Sequence, residues 1–250
     1  MFDDVVSALR AAGCVFAEEE ARLLLDADGD TRALVARRVG GEPLEWVLGW
    51  AEFADLRVTV RPGVFVPRRR TELLAAQAIA RLRPAGVAVE LCCGAAPVAA
   101  AILEEVPFVE VHAADLDPVA VACARENLPN GNVHEGDLYD ALPGTLRGRV
   151  DVLVANTPYV PTDEVSLMPA DARDHEPRHT LDGGPDGLAL LRRISASATD
   201  WLAPGGSVLV EVSQRQLPVA RAVLEADGLS ATSASDEGLA ATVVVGRAPG

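Results

Sequence analysis

The sequence contains no lysine; all 22 of its basic residues are arginine. No charge argument demands that bias, and it reads as genome composition. Cysteine is scarce, with four residues at 14, 92, 93 and 123 and no CxxC pair. That pattern predicts four buried thiols in a reducing compartment. Long apolar runs are missing too. The longest uncharged one, Leu91 to Leu103, falls short of the about 20 residues a bilayer span needs, and Gly94 and Pro97 interrupt it. No basic segment precedes an apolar stretch after Met1-Phe2-Asp3-Asp4, so no signal peptide is expected and the expected location is the cytoplasm. Positive charge is in deficit, at 22 basic against 37 acidic residues, a net charge of -15. A chain of that sign repels phosphate backbones, so stable nucleic-acid binding is not expected; without an apolar span, neither is a membrane partner. There is no internal repeat and no low-complexity tract.

What is present is a chain of 250 residues, 49% hydrophobic and 24% charged. That excludes intrinsic disorder and suits one domain of ordinary size with a small appendage. A chain this long buries roughly three-quarters of its surface and needs no disulfide or metal staple. Residues 1 to about 40 read as helices. Val5, Val6, Leu9 and Ala12 recur at helical spacing, Ala21, Leu24 and Leu25 follow, and Thr31 to Val39 ends at Gly40-Gly41. At Leu56, Val58 and Val60 the period becomes two. With Pro62-Gly63 as the turn and Val64 to Val66 returning, residues 53–66 predict a β-hairpin. Thr71 is expected to cap a helix running to about Leu82.

From residue 86 the pattern is strand, loop, helix, repeated. Strands are expected at 87–91, 109–114, 150–155, 207–212 and 239–246, with helices at 97–105, 118–128, 187–202 and 217–227. The alternation predicts a parallel, doubly wound α/β sheet. Three units follow: an N-terminal helical region (1–50), a hairpin linker (51–70) and a sheet domain (71–250).

In an open α/β sheet, ligands bind beyond the carboxyl ends of the strands. The first strand ends in Glu90-Leu91-Cys92-Cys93-Gly94-Ala95-Ala96-Pro97, a loop of small residues opening a helix. The second ends in Ala114-Asp115-Leu116-Asp117. An acidic residue about 20 positions past a glycine loop is the ribose-binding arrangement of a nucleotide fold. Asp115 fits it, and Asp117 reads better as a cap before Pro118. A dinucleotide fingerprint is absent, because only Gly94 remains of its glycines. That disfavours a pyrophosphate cofactor and favours a nucleoside without phosphate, such as S-adenosylmethionine. The strand at 150–155 ends in Asn156-Thr157-Pro158-Tyr159. There an amide oxygen, a nearby backbone carbonyl and a flat ring can hold a planar nitrogen group.

These residues resemble the protein-(glutamine-N5) methyltransferases, the HemK/PrmC group that modifies peptide release factors. The likeness runs from Gly41-Glu42-Pro43-Leu44-Glu45-Trp46 through Phe65-Val66-Pro67-Arg68 and Thr71-Glu72. It continues at Gly136-Asp137-Leu138, Glu176-Pro177, Gly183 to Leu188 and Pro204-Gly205-Gly206. The Cys92-Cys93 loop resembles an actinobacterial paralogue branch. The resemblance implies a class I S-adenosylmethionine-dependent methyltransferase sheet, Rossmann-like, acting on a glutamine of a protein such as a peptide release factor. It implies catalytic roles for Asn156, Thr157, Pro158 and Tyr159. It implies cofactor binding by Glu90, Cys92, Gly94, Asp115, Leu116, Asp137 (near the adenine), Leu138 and Asn156.

The chain departs from that pattern in three places. Thr157 stands for a proline. Cys92 and Ala96 stand for two loop glycines, and at Ala96 the extra methyl is expected to weaken cofactor contact, so that Ala96→Gly would tighten it. The N-terminal helical region is shorter. Two other readings stay open: N-methylation of a small metabolite, and a non-catalytic protein that binds a partner through its N-terminal helices. His175-Glu176-Pro177-Arg178-His179 matches the zinc-protease pattern H-E-x-x-H, but Pro177 cannot sit inside the helix that pattern needs. No metal site is expected there, and a substrate lid is the better reading. Arg68-Arg69-Arg70 reads as a solvated helix start.

Overall fold

The computed structural model describes residues 1–250, apart from the side chain of residue 171. Four helices lead: α1 (Phe2–Ala11), α2 (Ala17–Asp26), α3 (Thr31–Val39) and α4 (Leu44–Leu48). The helical spacing puts Val5, Val6 and Leu9 of α1 on one face. They bury against Ala17, Ala21 and Leu24 of α2 and Val47 of α4, a small core of their own. The Asp30 carboxylate accepts the Arg32 N–H at 3.0 Å and starts α3.

A hairpin follows, but not the one its turn residues suggested. Its strands are β1 (Trp50–Phe53) and β2 (Leu56–Thr59), paired antiparallel with Phe53 opposite Leu56. The turn is Ala54-Asp55, both left-handed at φ 49° and 62°, which matches the right-handed twist of the strands. Residues 64–66 form no strand because their polar groups are engaged elsewhere. The Val64 carbonyl accepts Trp46 Nε1–H at 3.0 Å, and the Val66 N–H donates to Glu176 Oε1 at 3.0 Å.

The sheet uses α5 (Glu72–Ile79), β3 (Val87–Leu91), α6 (Pro97–Glu105), β4 (Glu110–Asp115), α7 (Pro118–Asn127), β5 (Asn132–Glu135) and β6 (Val150–Ala155). It continues through α8 (Ala170–His175), α9 (Ala189–Trp201), β7 (Leu202–Glu211), α10 (Leu217–Ala226), β8 (Ser230–Asp236) and β9 (Ala241–Arg247). The seven strands run β5-β4-β3-β6-β7-β9-β8. Pairing is parallel from β5 to β7, but β9 enters antiparallel between β7 and β8, so the sheet is mixed. β3 is buried throughout, with Ala88 in the core on one face and Val87, Val89 and Leu91 in the core on the other. The hairpin joins the first of these cores through Ala51, Phe53 and Val58. The strand order reverses beside β3, so a crevice opens between the carboxyl ends of β3, β4 and β6. No helix among the described residues is long and apolar enough to cross a membrane.

Thr71 does not cap α5. It lies in a 3₁₀ turn (Arg69–Thr71) with helical backbone and makes no capping bond. Arg68 is not simply solvated either. Its Nη2 sits 2.7 Å from both oxygens of Glu176, whose side chain is 0% exposed. This pair, with the Val66 N–H, clamps the segment after the hairpin to the segment after α8. Removing one partner of a buried ion pair costs about 3 kcal/mol or more. Glu176→Ala is therefore expected to lower unfolding free energy by about that amount, read by urea denaturation.

Candidate active site

Glu90 closes β3. Its Oε2 accepts the Ala99 N–H at 2.7 Å, so one carboxyl oxygen holds the first turn of α6. Full burial pushes this carboxyl up to about 8. The loop that follows alternates into left-handed backbone at Cys92 (φ 53°), Gly94 (54°) and Ala96 (58°). Pro97, which lacks an N–H, opens α6. Two cross-strand bonds pin the loop. The Cys93 N–H donates to the Ala114 carbonyl at 3.1 Å, and the Gly94 N–H to Asp115 Oδ2 at 2.8 Å. A side chain built on Gly94 would meet nothing, because the space in front of it is open. Burial pushes the Cys92 and Cys93 thiols up, so both stay protonated.

The Asp115 carboxylate is fixed a second time by the Asp117 N–H, at 3.0 Å from Oδ1. Burial pushes its pKa up against these two bonds. Asp117 itself caps α7 through the Val119 N–H at 2.8 Å. Asp137 and Leu138 follow β5. Asp137 Oδ2 is held by Arg193 of α9 at 2.7 Å.

After β6, Asn156 Nδ2 donates to the Thr71 hydroxyl oxygen at 3.3 Å. Among the described residues this leaves Asn156 Oδ1 as the acceptor that is not engaged. Among the described residues no donor takes the Thr157 carbonyl, although Thr157 is buried. The Tyr159 hydroxyl donates to Glu211 Oε1 at 3.2 Å and accepts from Arg70 at 3.1 Å. Burial, with Glu211 beside it, pushes that hydroxyl up to about 12. The glycine-rich stretch 183–187 packs on the same backbone. A Cβ on Gly183 would meet the Pro158 carbonyl at 2.4 Å, and one on Gly187 the Tyr159 carbonyl at 2.1 Å.

Every residue singled out above as a site candidate lines one cavity of about 690 Å³: Glu90, Cys92, Gly94, Asp115, Leu116, Asp137, Leu138 and Asn156 to Tyr159. Met168 and residues 179–184 form a further wall, where a lid was expected. His175 lies edge-on to Trp46 and His179 stands 3.6 Å from Asp117, so the two histidines share no helix face. Reasoning from sequence missed Arg193, Thr71, Arg70 and Glu211. Arg193 carries no local signal beyond the polar face of an amphipathic helix, whereas Thr71 lies inside the motif that carried the resemblance.

Residues 55–173 match the Methyltransferase small domain family. A release factor glutamine methyltransferase of Streptomyces coelicolor is 41% identical over 199 residues, covering 76% of this chain and 70% of that one. The chain belongs to the release factor glutamine methyltransferase family. A 4-amino-L-phenylalanine/4-methylamino-L-phenylalanine methyltransferase of Streptomyces pristinaespiralis is 36% identical over 203 residues, covering 78% and 69%. A solved methyltransferase from Pyrococcus furiosus shares the fold at a TM-score of 0.59 and 20% identity, covering 78% of this chain and 90% of that one. This release factor glutamine methyltransferase-like chain is thus an enzyme with a class I methyltransferase fold, and its family implies an S-adenosylmethionine-type methyl donor.

Within this methyltransferase, the departure at Ala96 differs from the expectation. The backbone there is left-handed, but the methyl packs into the core and Ala96 is not among the cavity walls. Relieving the backbone by Ala96→Gly gains about 1–2 kcal/mol. Losing the buried methyl costs about 0.8 kcal/mol, and the extra freedom of glycine in the unfolded chain costs about 0.4–1 kcal/mol. These nearly cancel. Ala96→Gly is expected to leave both thermal stability and S-adenosylmethionine affinity unchanged, as calorimetry would show.

Proposed function

We propose that this enzyme transfers a methyl group from S-adenosylmethionine to the side-chain amide nitrogen of a glutamine in a protein, a peptide release factor. The observation that carries this reading is the orientation of Asn156. With Nδ2 given to Thr71, Oδ1 is left as an acceptor, and the unengaged Thr157 carbonyl is a second one on the next residue; Asn156, Thr157 and Tyr159 all line the one cavity. A substrate amide presents two N–H donors in one plane, which such a pair and such a ring suit.

The donor fits the other half of the cavity. The open space at Gly94 lets a ligand approach the backbone, and Asp115, held by two N–H groups, keeps lone pairs for ribose hydroxyls. Cys92, Leu116 and Leu138 would flank the nucleoside, with Asp137 and Arg193 at its far side. The volume lies within the range of small-molecule sites, about 300–1,000 Å³. A bound donor of this type supplies an electrophilic methyl on a sulfonium.

The chain's own task is to position the acceptor. An amide nitrogen is a weak nucleophile because its lone pair is shared with its carbonyl. Acceptors on both of its hydrogens favour positive charge developing at the nitrogen and hold the plane of the amide. The Tyr159 ring is locked through its hydroxyl by Glu211 and Arg70. No general base is required, since the proton can leave after transfer. This reading puts the enzyme in the cytoplasm, with its protein substrate. The similarity to an aminophenylalanine methyltransferase favours a second reading, transfer to the nitrogen of a small planar amine.

Two variants separate the halves of the site. Asp115→Ala removes a charged acceptor worth about 1.5–3 kcal/mol, so S-adenosylmethionine affinity is expected to fall at least tenfold by calorimetry. Asn156→Ala is expected to lower turnover by about 10²-fold or more and to change that affinity far less. Normal methylation of a release factor by Asn156→Ala would refute the amide clamp.

A further inference from the structure

The orientation of Asn156 turns on where one hydrogen points. Thr71 is 1% exposed, and its hydroxyl has a single hydrogen to donate and lone pairs to accept with. Its oxygen accepts Asn156 Nδ2 at 3.3 Å. Its own hydrogen goes to the carboxyl of Glu211, which is 2% exposed. The sheet sets this neighbourhood. Ala155 of β6 pairs with Val210 of β7, so Asn156 and Glu211 come next, side by side, at the carboxyl ends of adjacent strands. The Tyr159 hydroxyl follows the same rule: it accepts from Arg70 at 3.1 Å and gives its hydrogen to Glu211 Oε1 at 3.2 Å. Burial pushes the Glu211 carboxyl up, and the Thr71 and Tyr159 hydroxyls and Arg70 favour its charge. Oε2 is sealed from solvent, and no further donor among the described residues reaches it.

A carboxylate accepts hydrogen bonds and donates none. Both hydroxyls therefore point their hydrogens at Glu211 and offer only lone pairs in other directions. An amide has one end that accepts and one that donates, so Asn156 meets such a Thr71 oxygen only through Nδ2. We propose that Glu211 is a positioning residue for the methyl acceptor: by holding the Thr71 hydrogen it turns Asn156 so that Oδ1, not Nδ2, faces the substrate. The proposal rests on the methyl-transfer reading and adds specificity to it. A site edged by acceptors takes the two N–H groups of a glutamine amide and rejects the carboxylate of a glutamate, which has no hydrogen to give. With a donor in place of the carboxylate the chain of bonds reverses. Thr71 accepts from that donor and gives its own hydrogen to Asn156 Oδ1, and Nδ2 turns to the substrate.

Glu211→Gln makes that change at constant size: its oxygen still accepts from Tyr159, and its N–H meets Thr71. The first arm needs no methyl transfer. The full-length protein is labelled with 15N-asparagine, which falls on Asn127, Asn130, Asn132 and Asn156 alone. In the wild type the Asn156 amide hydrogens are expected to show a nuclear Overhauser contact with the Thr71 methyl, and Glu211→Gln is expected to abolish it. The Asn127 amide, held by the Thr59 and Ala95 carbonyls at 2.9 and 2.8 Å, is expected to stay unchanged as the control of the fold. A contact that is absent from the wild type or survives Glu211→Gln overturns the proposal. So does a change at Asn127 alongside it, which would make Glu211 a support of the fold alone. The second arm measures methylation of a recombinant peptide release factor. Glu211→Gln and Thr71→Val are each expected to lower kcat about tenfold or more and to change S-adenosylmethionine affinity far less. The two together are expected to cost no more than one, since they break the same chain of bonds, and Thr71→Ser, which keeps the hydroxyl, retains turnover. As an inhibitor, the release factor with its methylated glutamine replaced by glutamate is expected to bind the wild type at least about tenfold more weakly than the unmodified protein, a gap that Glu211→Gln narrows. Additive losses, undiminished kcat in Glu211→Gln or an unchanged gap overturn the proposal alone. If the wild type methylates no glutamine, the methyl-transfer reading fails while the Asn156 contact still decides the orientation.

Discussion

The Asp115 carboxylate accepts the Gly94 N–H across the gap between two parallel strands, and the site is arranged around that bond. It holds the loop after β3 to the end of β4, with the Cys93 N–H and the Ala114 carbonyl as a second tie. Glu90 then holds the start of α6 from below. Three short side-chain and backbone contacts thereby define one wall of the crevice, in a loop that keeps a single glycine at its centre. The loss of the flanking glycines is tolerable because these ties, rather than loop flexibility, set the backbone. At Ala96 the side chain also points into the core and not at the ligand.

The opposite wall is built from a distant part of the chain. Arg68 and Glu176 bring the segment after the hairpin against the segment after α8, and Thr71 follows within one turn. Thr71 then receives Asn156 Nδ2, which, in the proposed reading, decides which end of that amide faces the substrate. A stable fold and an oriented acceptor are therefore consequences of the same clamp. Substitutions at Arg68 or Glu176 reach the chemistry only through it.

Much of this was legible in the sequence. The strands around 87–91 and 150–155 are apolar because they are buried on both faces, and their ends carried the site. Asp115 and Asn156 could be singled out as candidates because position at a strand's carboxyl end is itself evidence, and both line the cavity. β8 was not legible. Ser230–Asp236 is a mostly exposed edge strand of small and polar residues, held by its backbone ladder to β9 and lacking an apolar alternation. The hairpin was misplaced because Pro62-Gly63 is a stronger turn signal than Ala54-Asp55, while the partners of Val64 and Val66 lie at Trp46 and Glu176, far along the chain. Thr71 looked like a cap for the same reason. A hydroxyl before a helix is a local signal, and its real partner is 85 residues away. Glu211 gave no signal of a site, since an acidic residue ending a strand acquires meaning only from what surrounds it.

The central claim is that one crevice presents a planar amide to a methyl donor. The most direct test incubates the purified enzyme with S-adenosylmethionine and a recombinant peptide release factor, then maps the product by tandem mass spectrometry. The account predicts a single added methyl, on the side-chain nitrogen of one glutamine. Methyl transfer to a carboxylate, a hydroxyl or a backbone nitrogen, or a release factor left unmodified while a small amine is methylated, would contradict it.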